Sequence, residues 1–233
     1  MGSGFETEIK LGLPDEAAWR WVRDRLASVR VVQQTNHFFD RSDRALARAR
    51  IGVRLREAEH RLRLTVKGEA DSHPDAMITR RIELEHDQEP ADLATALDHG
   101  LRLQNEIGLW RADARGDAER LTFLDRLEAA IGEQPLRTIG SFRNERSIGQ
   151  LGRADETGAL EIEVELDRTA FPGGRVDFEL EVERSSEPEG RLERTRASLE
   201  RWLEHEGRIH PFARESKLAR FEAILEAGET DPR

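Results

Sequence analysis

The residues in this chain whose types and spacing could do chemistry are charged, and they recur at every second position. Glu6 and Glu8 stand two apart and are followed by Lys10. Arg54 and Arg56 repeat the interval, as do Arg63, Thr65 and Lys67, and Arg81, Glu83 and Glu85. Two longer runs are wholly acidic: Glu161, Glu163, Glu165 and Asp167, then Asp177, Glu179, Glu181 and Glu183. In extended chain, alternate side chains share a face. Whole strand faces would therefore carry one sign. Like charges placed opposite each other destabilise a sheet, and solubility alone favours interspersed signs. A divalent cation held by several carboxylates would offset the repulsion, and Mg²⁺ and Mn²⁺ prefer oxygen ligands. Arginine forks and lysine ammonium groups bind phosphate. Carboxylates on one wall and Arg/Lys on another fit a metal-bound polyphosphate. An ordinary one-sided antiparallel sheet also alternates, with its polar face in water. That reading accounts for the alternation but not for the content of the faces.

The elements that must position these groups can be read from the same pattern. Period-2 alternation marks strands at Phe5–Leu11, Gly52–Arg56, Arg61–Lys67, Arg81–Glu85, Leu160–Asp167 and Val176–Glu183. Weaker strand signals lie at Val31–Phe39 and Ser141–Ile148, which makes about eight. A polar turn at Glu57–His60 predicts one hairpin, and Phe171-Pro172-Gly173-Gly174 predicts another that pairs the two acidic strands. Helical stripes cover Pro14–Val29, Pro90–Leu103, Asp117–Ile131, Gly190–His205 and Glu215–Leu225, each with a face suited to a core. About eight strands could close into a barrel. The apolar residues would then lie under the helices and the charged ones in the lumen. The expected fold is α+β in a single domain over residues 1–233, with a core from about 5 to 226 and a polar tail.

Composition narrows the functions. The 233 residues include no cysteine, which excludes disulfides, thiol nucleophiles and cysteine metal sites. The net charge of −10 argues against broad nucleic-acid binding. No apolar run approaches the ~18 residues of a membrane span, and the first residues show no secretory pattern, so the expected location is the cytoplasm. Only three of the 37 basic residues are lysines: Lys10, Lys67 and Lys217. Where arginine is the default cation, a retained lysine suggests a need for a compact point charge. The seven histidines form no spaced ligand pair, and the tryptophans suit helix stripes better than a base-stacking platform.

Glu6-x-Glu8-x-Lys10 on a first strand resembles the ExExK signature of the CYTH, or triphosphate tunnel metalloenzyme, superfamily. Further segments match in order from about residue 5 to 222. They are Gln33–Asp40, Val53-Arg54-Leu55-Arg56, Leu64–Gly68, Arg81-x-Glu83-x-Glu85, Phe142–Arg146, Glu165-x-Asp167, Phe178–Glu181 and Ser216–Phe221. The resemblance implies a closed tunnel of eight antiparallel strands with helices outside. It implies divalent metal, Mg²⁺ or Mn²⁺ as one or two ions, on Glu6, Glu8, Glu165, Asp167, Glu179 and Glu181. It places phosphates on Lys10, Arg54, Arg56, Lys67, Arg81, Arg146 and Lys217. Lys67, Glu85 and Asp167 are the candidates for orienting or activating water, and Arg63, Glu83 and Glu183 are further lumen candidates. Arg143 has the opposite strand parity to Arg146. Glu161 and Glu163 fit a rim as well as a lumen.

The activity so implied is hydrolysis of inorganic triphosphate or a small organic triphosphate. The alternatives are a class IV adenylyl cyclase and a non-enzymatic binding module for polyphosphate or nucleotide triphosphate. The expected partner is a small-molecule triphosphate, with no nucleic acid and no membrane, and the chain acts as a monomer or homodimer.

Overall fold

The structure is a computed structural model that describes residues 3–68, 71–72, 78–155, 158–184, 189–208 and 215–229. His73, His210 and the last residues of the polar tail lie outside them. The strands are β1 (Ser3–Leu13), β2 (Ala27–Asp40), β3 (Gly52–Ala58), β4 (Arg61–Lys67), the two-residue β5 (Asp71–Ser72), β6 (Ile78–Gln88), β7 (Arg137–Asp155), β8 (Gly158–Ala170) and β9 (Val176–Arg184). The helices are α1 (Glu16–Arg23), α2 (Ala45–Arg48), α3 (Asp92–His99), α4 (Gln104–Asp113), α5 (Ala118–Ile131), α6 (Glu189–His205) and α7 (Lys217–Glu229). The sheet runs β1-β9-β8-β7-β2-β3-β4-β6, and β1 also pairs with β6. Eight antiparallel strands thus close on themselves, with the helices packed around them, as the strand count predicts. β5 joins β6.

The chain forms two compact units, each assembled from separated segments. The first comprises Met1–Glu6, Gln34–Asp71 and Arg80–Ser141; the second comprises Thr7–Gln33, Ser72–Thr79 and Phe142–Arg233. In the first unit, Val53 and Leu55 of β3, Leu62, Leu64 and Val66 of β4, and Ile82 and Leu84 of β6 face Ile107 and Trp110 of α4 and Phe123, Leu124 and Leu127 of α5. In the second, Ile9 and Leu11 of β1, Ile162, Val164 and Leu166 of β8, and Leu180 and Val182 of β9 face Trp19 and Val22 of α1 and Leu199 and Leu203 of α6. Each strand therefore buries its apolar parity under helices. Its charged parity lies on the opposite side of the sheet.

Both expected hairpins form. Glu59 and His60 carry φ of 49° and 63° between β3 and β4, the double left-handed pair of a type I′ turn. Gly173 and Gly174, at φ 76° and 84°, turn β8 into β9. The acidic strands pair as anticipated, with Glu165 opposite Glu181 and Asp167 opposite Glu179.

Several boundaries differ from expectation. The helix predicted over Pro14–Val29 ends at Arg23. Ser28 takes φ 56° and breaks the path, and the β-branched Val29, Val31 and Val32 enter β2 instead. Val29 is 39% exposed rather than core-facing. At this crossing a Cβ on Gly149 of β7 would lie 3.0 Å from both the Ala27 carbonyl oxygen and the Leu26 side chain, so glycine permits the close approach. The stripe over Pro90–Leu103 is only the short α3, and α4 follows it, placing a fully buried Trp110 inside a helix. The segment Ser141–Ile148 is the middle of the longer β7. The four-residue α2 carries no sequence signal of comparable strength.

Candidate functional site

In the first unit, the charged parity of β1, β3, β4 and β6 builds a mixed cluster. Glu6 is 8% exposed. Its Oε2 lies 2.8 Å from Lys67 Nζ and 3.0 Å from Arg81 Nε. Lys67 Nζ also lies 3.1 Å from Glu83 Oε1, because the β4–β6 register sets Lys67 opposite Glu83. Oxygens of Glu6 and Glu83 approach within 4.8 Å. Burial opposes ionisation of Glu6. The fields of Lys67 and Arg81 outweigh it and hold Glu6 well below the usual carboxylate range. Glu83 moves upward, driven by burial against the pull of Lys67, with the neighbouring Glu6 charge adding to the rise. One proton is thus retained more readily on Glu83 than on Glu6.

Arg54 and Arg56 sit on the same side of β3. Arg54 NH2 donates to Thr65 Oγ1 at 3.4 Å, and Arg56 Nε donates to Asn36 Oδ1 at 3.0 Å. Glu85 accepts from Thr65 Oγ1 at 3.5 Å and from Arg63 NH1 at 3.3 Å. Arg63 turns toward Asp87 as well, at 2.9 Å, and its side chain is 42% exposed. It therefore stands farther into solvent than Lys67 or Arg81.

The second unit holds a denser cluster, on β1, β7, β8, β9 and α7. Lys217 Nζ lies 2.6 Å from Glu181 Oε1, 2.8 Å from Asp167 Oδ2 and 3.0 Å from Glu179 Oε2. Lys10 Nζ lies 3.0 Å from Glu8 Oε1 and 3.5 Å from Glu181 Oε1. The Arg146 fork meets Asp167 through Nε at 2.8 Å and NH2 at 2.6 Å. It also donates to Glu181 at 2.8 Å and to Glu165. Cations from β1, β7 and α7 thus offset the like-charge pairs of β8 and β9. Burial alone would raise Asp167, but Arg146 and Lys217 bring it down to about 2. Glu181 is likewise held far below the usual carboxylate range, with burial outweighed by Lys217, Lys10 and Arg146. Burial would lower Lys217 and Lys10, yet the surrounding carboxylates raise both.

Every candidate from the sequence is placed in one of these two clusters or at its edge. Glu6, Glu83, Glu85, Arg54, Arg56, Arg63, Lys67 and Arg81 lie in the first unit. Glu8, Lys10, Arg146, Glu165, Asp167, Glu179, Glu181 and Lys217 lie in the second. Glu183 stands opposite Glu8 in the β1–β9 register and is exposed. Arg143 and the rim candidates Glu161 and Glu163 are exposed. Sequence reasoning gave no role to Asn36, Asn144, Thr169 or Arg220, and counted Asp177 only in the acidic face of its strand. Arg220 is 2% exposed, with Nε 3.2 Å from Asp177 Oδ2 and NH2 2.8 Å from Glu179 Oε2. Its signal was available: it sits three residues after Lys217, on the same helix face. Asn144 shares the parity of Arg146.

The donor set suits a hard divalent cation. Its carboxylates are oxygen ligands, and those of Glu179 are fully buried. Neither Glu179 oxygen completes a hydrogen bond, although Oε2 lies near two cations. A buried carboxylate with unfilled acceptor sites is costly, and a bound metal would satisfy it.

No helix among the described residues is long and apolar enough to cross a membrane, a statement that concerns helices alone. Among curated proteins none matches the chain. Among solved structures, the chain is similar to HpAC1 from Hippeastrum, a candidate adenylyl cyclase described as having dominant triphosphatase activity. The identity is 24% and the TM-score 0.67, over 94% of this chain and 95% of that one. A candidate adenylate cyclase from Bacillus halodurans follows at 20% identity and TM-score 0.58, over 95% and 99%. The PH1819 protein of Pyrococcus horikoshii OT3 is 18% identical with TM-score 0.53, over 95% and 99%. These likenesses concern the fold. The CYTH domain model matches residues 4–207, nearly the whole chain, and the protein belongs to the CYTH family.

Proposed function

We propose that the protein is a divalent-metal-dependent triphosphatase that cleaves the terminal phosphoanhydride of inorganic triphosphate or a small organic triphosphate. The observation that carries this reading is the convergence of the buried Lys10 and Arg146 and the half-buried Lys217 on the carboxylates of β8 and β9. Such a self-neutralised cluster suits exchange with a ligand pair of opposite charges, a metal for the carboxylates and a polyanion for the cations. In the second unit, Glu8, Glu179 and Glu181 are the candidates to hold Mg²⁺ or Mn²⁺; in the first, the candidate is Glu6. Bound there, the metal supplies Lewis acidity and a template for phosphate oxygens.

In the second unit Lys10, Arg146 and Lys217 stabilise charge on the non-bridging oxygens; in the first the candidates for that role are Arg54, Arg56, Lys67 and Arg81. Their partners keep them aimed: Asn36 fixes the Arg56 fork, and Thr65 steadies Arg54. Glu85 and Lys67 are the candidates to orient the attacking water. Inorganic triphosphate is the preferred substrate, because no aromatic side chain of either cluster offers a clamp for a base.

The deciding experiment measures phosphate release from inorganic triphosphate, thiamine triphosphate and ATP, with Mg²⁺ and with Mn²⁺. Metal-stimulated release supports the reading. The name of the Hippeastrum protein carries both cyclase and triphosphatase, so cyclic AMP is measured in parallel. Conversion of ATP to cyclic AMP without phosphate release would establish a cyclase. Binding without turnover would establish a binding module.

A further inference from the structure

The two innermost carboxylates of the second unit, Asp167 and Glu179, are both wholly buried, yet their surroundings differ. An ionised carboxylate has about four acceptor sites. Those of Asp167 are all filled. Oδ1 accepts from Asn144 Nδ2 at 2.9 Å and Arg146 Nε at 2.8 Å. Oδ2 accepts from Arg146 NH2 at 2.6 Å and faces Lys217 Nζ at 2.8 Å. Asn144 is itself fixed, because its Oδ1 accepts from Thr169 Oγ1 at 2.9 Å. Asn144 is 2% exposed and Thr169 is fully buried. The β7–β8 register sets Asn144 opposite Thr169 and Arg146 opposite Asp167, so two successive cross-strand pairs build the chain. Glu179 differs: its Oε2 faces Lys217 Nζ at 3.0 Å and Arg220 NH2 at 2.8 Å, while its buried Oε1 has no hydrogen-bond partner among the described residues.

We infer that Asp167 is a positioning residue rather than a metal ligand, held by the Thr169–Asn144 chain so that it aims the Arg146 fork and the Lys217 ammonium at phosphate, while Glu179, through its Oε1, is the carboxylate left open for the cation. This rests on the triphosphatase reading for the identity of the anion. The division of labour itself rests on the filled and unfilled acceptor sites. Thr169 acts at one remove: its hydroxyl donates to the Asn144 carbonyl oxygen, which turns the amide nitrogen toward Asp167. Loss of that hydroxyl frees the amide to flip, and a flipped amide would present an oxygen to the carboxylate.

The test uses the full chain and two readouts. Mn²⁺ affinity is measured by calorimetric titration without substrate, and KM and kcat are measured with inorganic triphosphate. Glu179→Gln is the reference for a lost ligand, with Mn²⁺ affinity expected to fall at least tenfold. Asp167→Asn keeps the volume and should leave Mn²⁺ affinity within about threefold of the parent, while KM rises ~10–100-fold, as for loss of an orienting partner. Thr169→Val should raise KM without weakening Mn²⁺ binding, and Thr169→Ser should restore KM, which a merely structural role for the methyl group would not do. If Asp167→Asn fails to fold, the Thr169 pair carries the test. Loss of Mn²⁺ affinity in Asp167→Asn or Thr169→Val to the level of Glu179→Gln would overturn the inference. So would a KM unchanged in Thr169→Val. If the parent binds Mn²⁺ but releases no phosphate, the triphosphatase reading fails, and triphosphate affinity then replaces KM as the second readout. A parent that takes up no Mn²⁺ sinks both.

Discussion

Replacing Arg146 by methionine keeps most of the side-chain volume and removes the charge that holds three carboxylates together. In the metal-free protein, Asp167 would lose both hydrogen bonds of the fork, and Glu181 and Glu165 would each lose a donor. Lys217 remains beside Asp167 and Glu181 at 2.8 and 2.6 Å, and Lys10 beside Glu181 at 3.5 Å, so the uncompensated charge is partial. Breaking a buried pair by removing one partner costs about 3–5 kcal/mol. For a chain of this size each kcal/mol lowers Tm by about 2–4 °C, so the expected fall is about 6–20 °C. The cost should also depend on pH with a definite sign. Asp167 is depressed from 3.8 to about 2. A depressed carboxylate contributes stability that is present above its unfolded value and is lost as pH falls through its folded one. For Asp167 that contribution is about 2 kcal/mol, taking 1.36 kcal/mol per unit. The Tm gap between parent and variant should therefore be full near pH 7 and narrow as pH falls from about 4 toward 2. Thermal scans by circular dichroism in chelator-treated buffer across that range measure it. A gap that is absent at pH 7, or that widens in acid, would refute the reasoning.

Other outcomes follow from the same geometry. Glu8→Gln should abolish metal-dependent phosphate release while the circular dichroism spectrum stays that of the parent, because shape is kept and a ligand charge is lost; full activity would sink the assignment. Lys67→Arg keeps the charge beside Glu6 and Glu83 but replaces a compact ammonium by a planar fork, so kcat/KM should drop sharply in the phosphate-release assay. Trp110→Ala removes a fully buried ring that also donates from Nε1 to the Glu85 carbonyl oxygen at 3.3 Å. It should cost about 3–5 kcal/mol in denaturant titration, the usual loss for a buried tryptophan.

The parity of the strands was legible in the sequence because a period of two survives any tertiary context: Leu55 and Leu64 had to face one way once Arg54 and Thr65 faced the other. The pairing of the acidic strands was legible for a similar reason, since Pro172-Gly173-Gly174 allows only a tight reversal. Less visible was what cancels the charge. The groups that neutralise Asp167 and Glu179 come from β7 and from α7, far along the chain; the i, i+3 spacing puts Lys217 and Arg220 on one helix face but does not say that this face turns toward β9. The early end of α1 was hidden too. Trp19, Val22, Leu26 and Val29 keep a helical interval, but the β-branched run after Ser28 gains more in β2 than in another helical turn. The uncharged members Asn36, Asn144 and Thr169 carried no signal in composition. Their part depends on partners set opposite them by strand register.

The interleaved segments of the two units have a consequence for the order in which the chain can acquire its structure. The Thr7–Leu13 stretch of β1 is synthesised well before its partner in β9, Phe178–Arg184. The first unit, by contrast, has all its segments once Ser141 has been synthesised. During the interval β1 keeps an unpaired edge bearing Ile9, Leu11 and Leu13, the kind of edge on which other chains can template. Pairings of such long sequence separation also slow folding. Glu8 and Lys10, interspersed with those apolar residues, then serve before any ligand is bound: charges at every second position keep a waiting strand from pairing with its neighbours in a polysome.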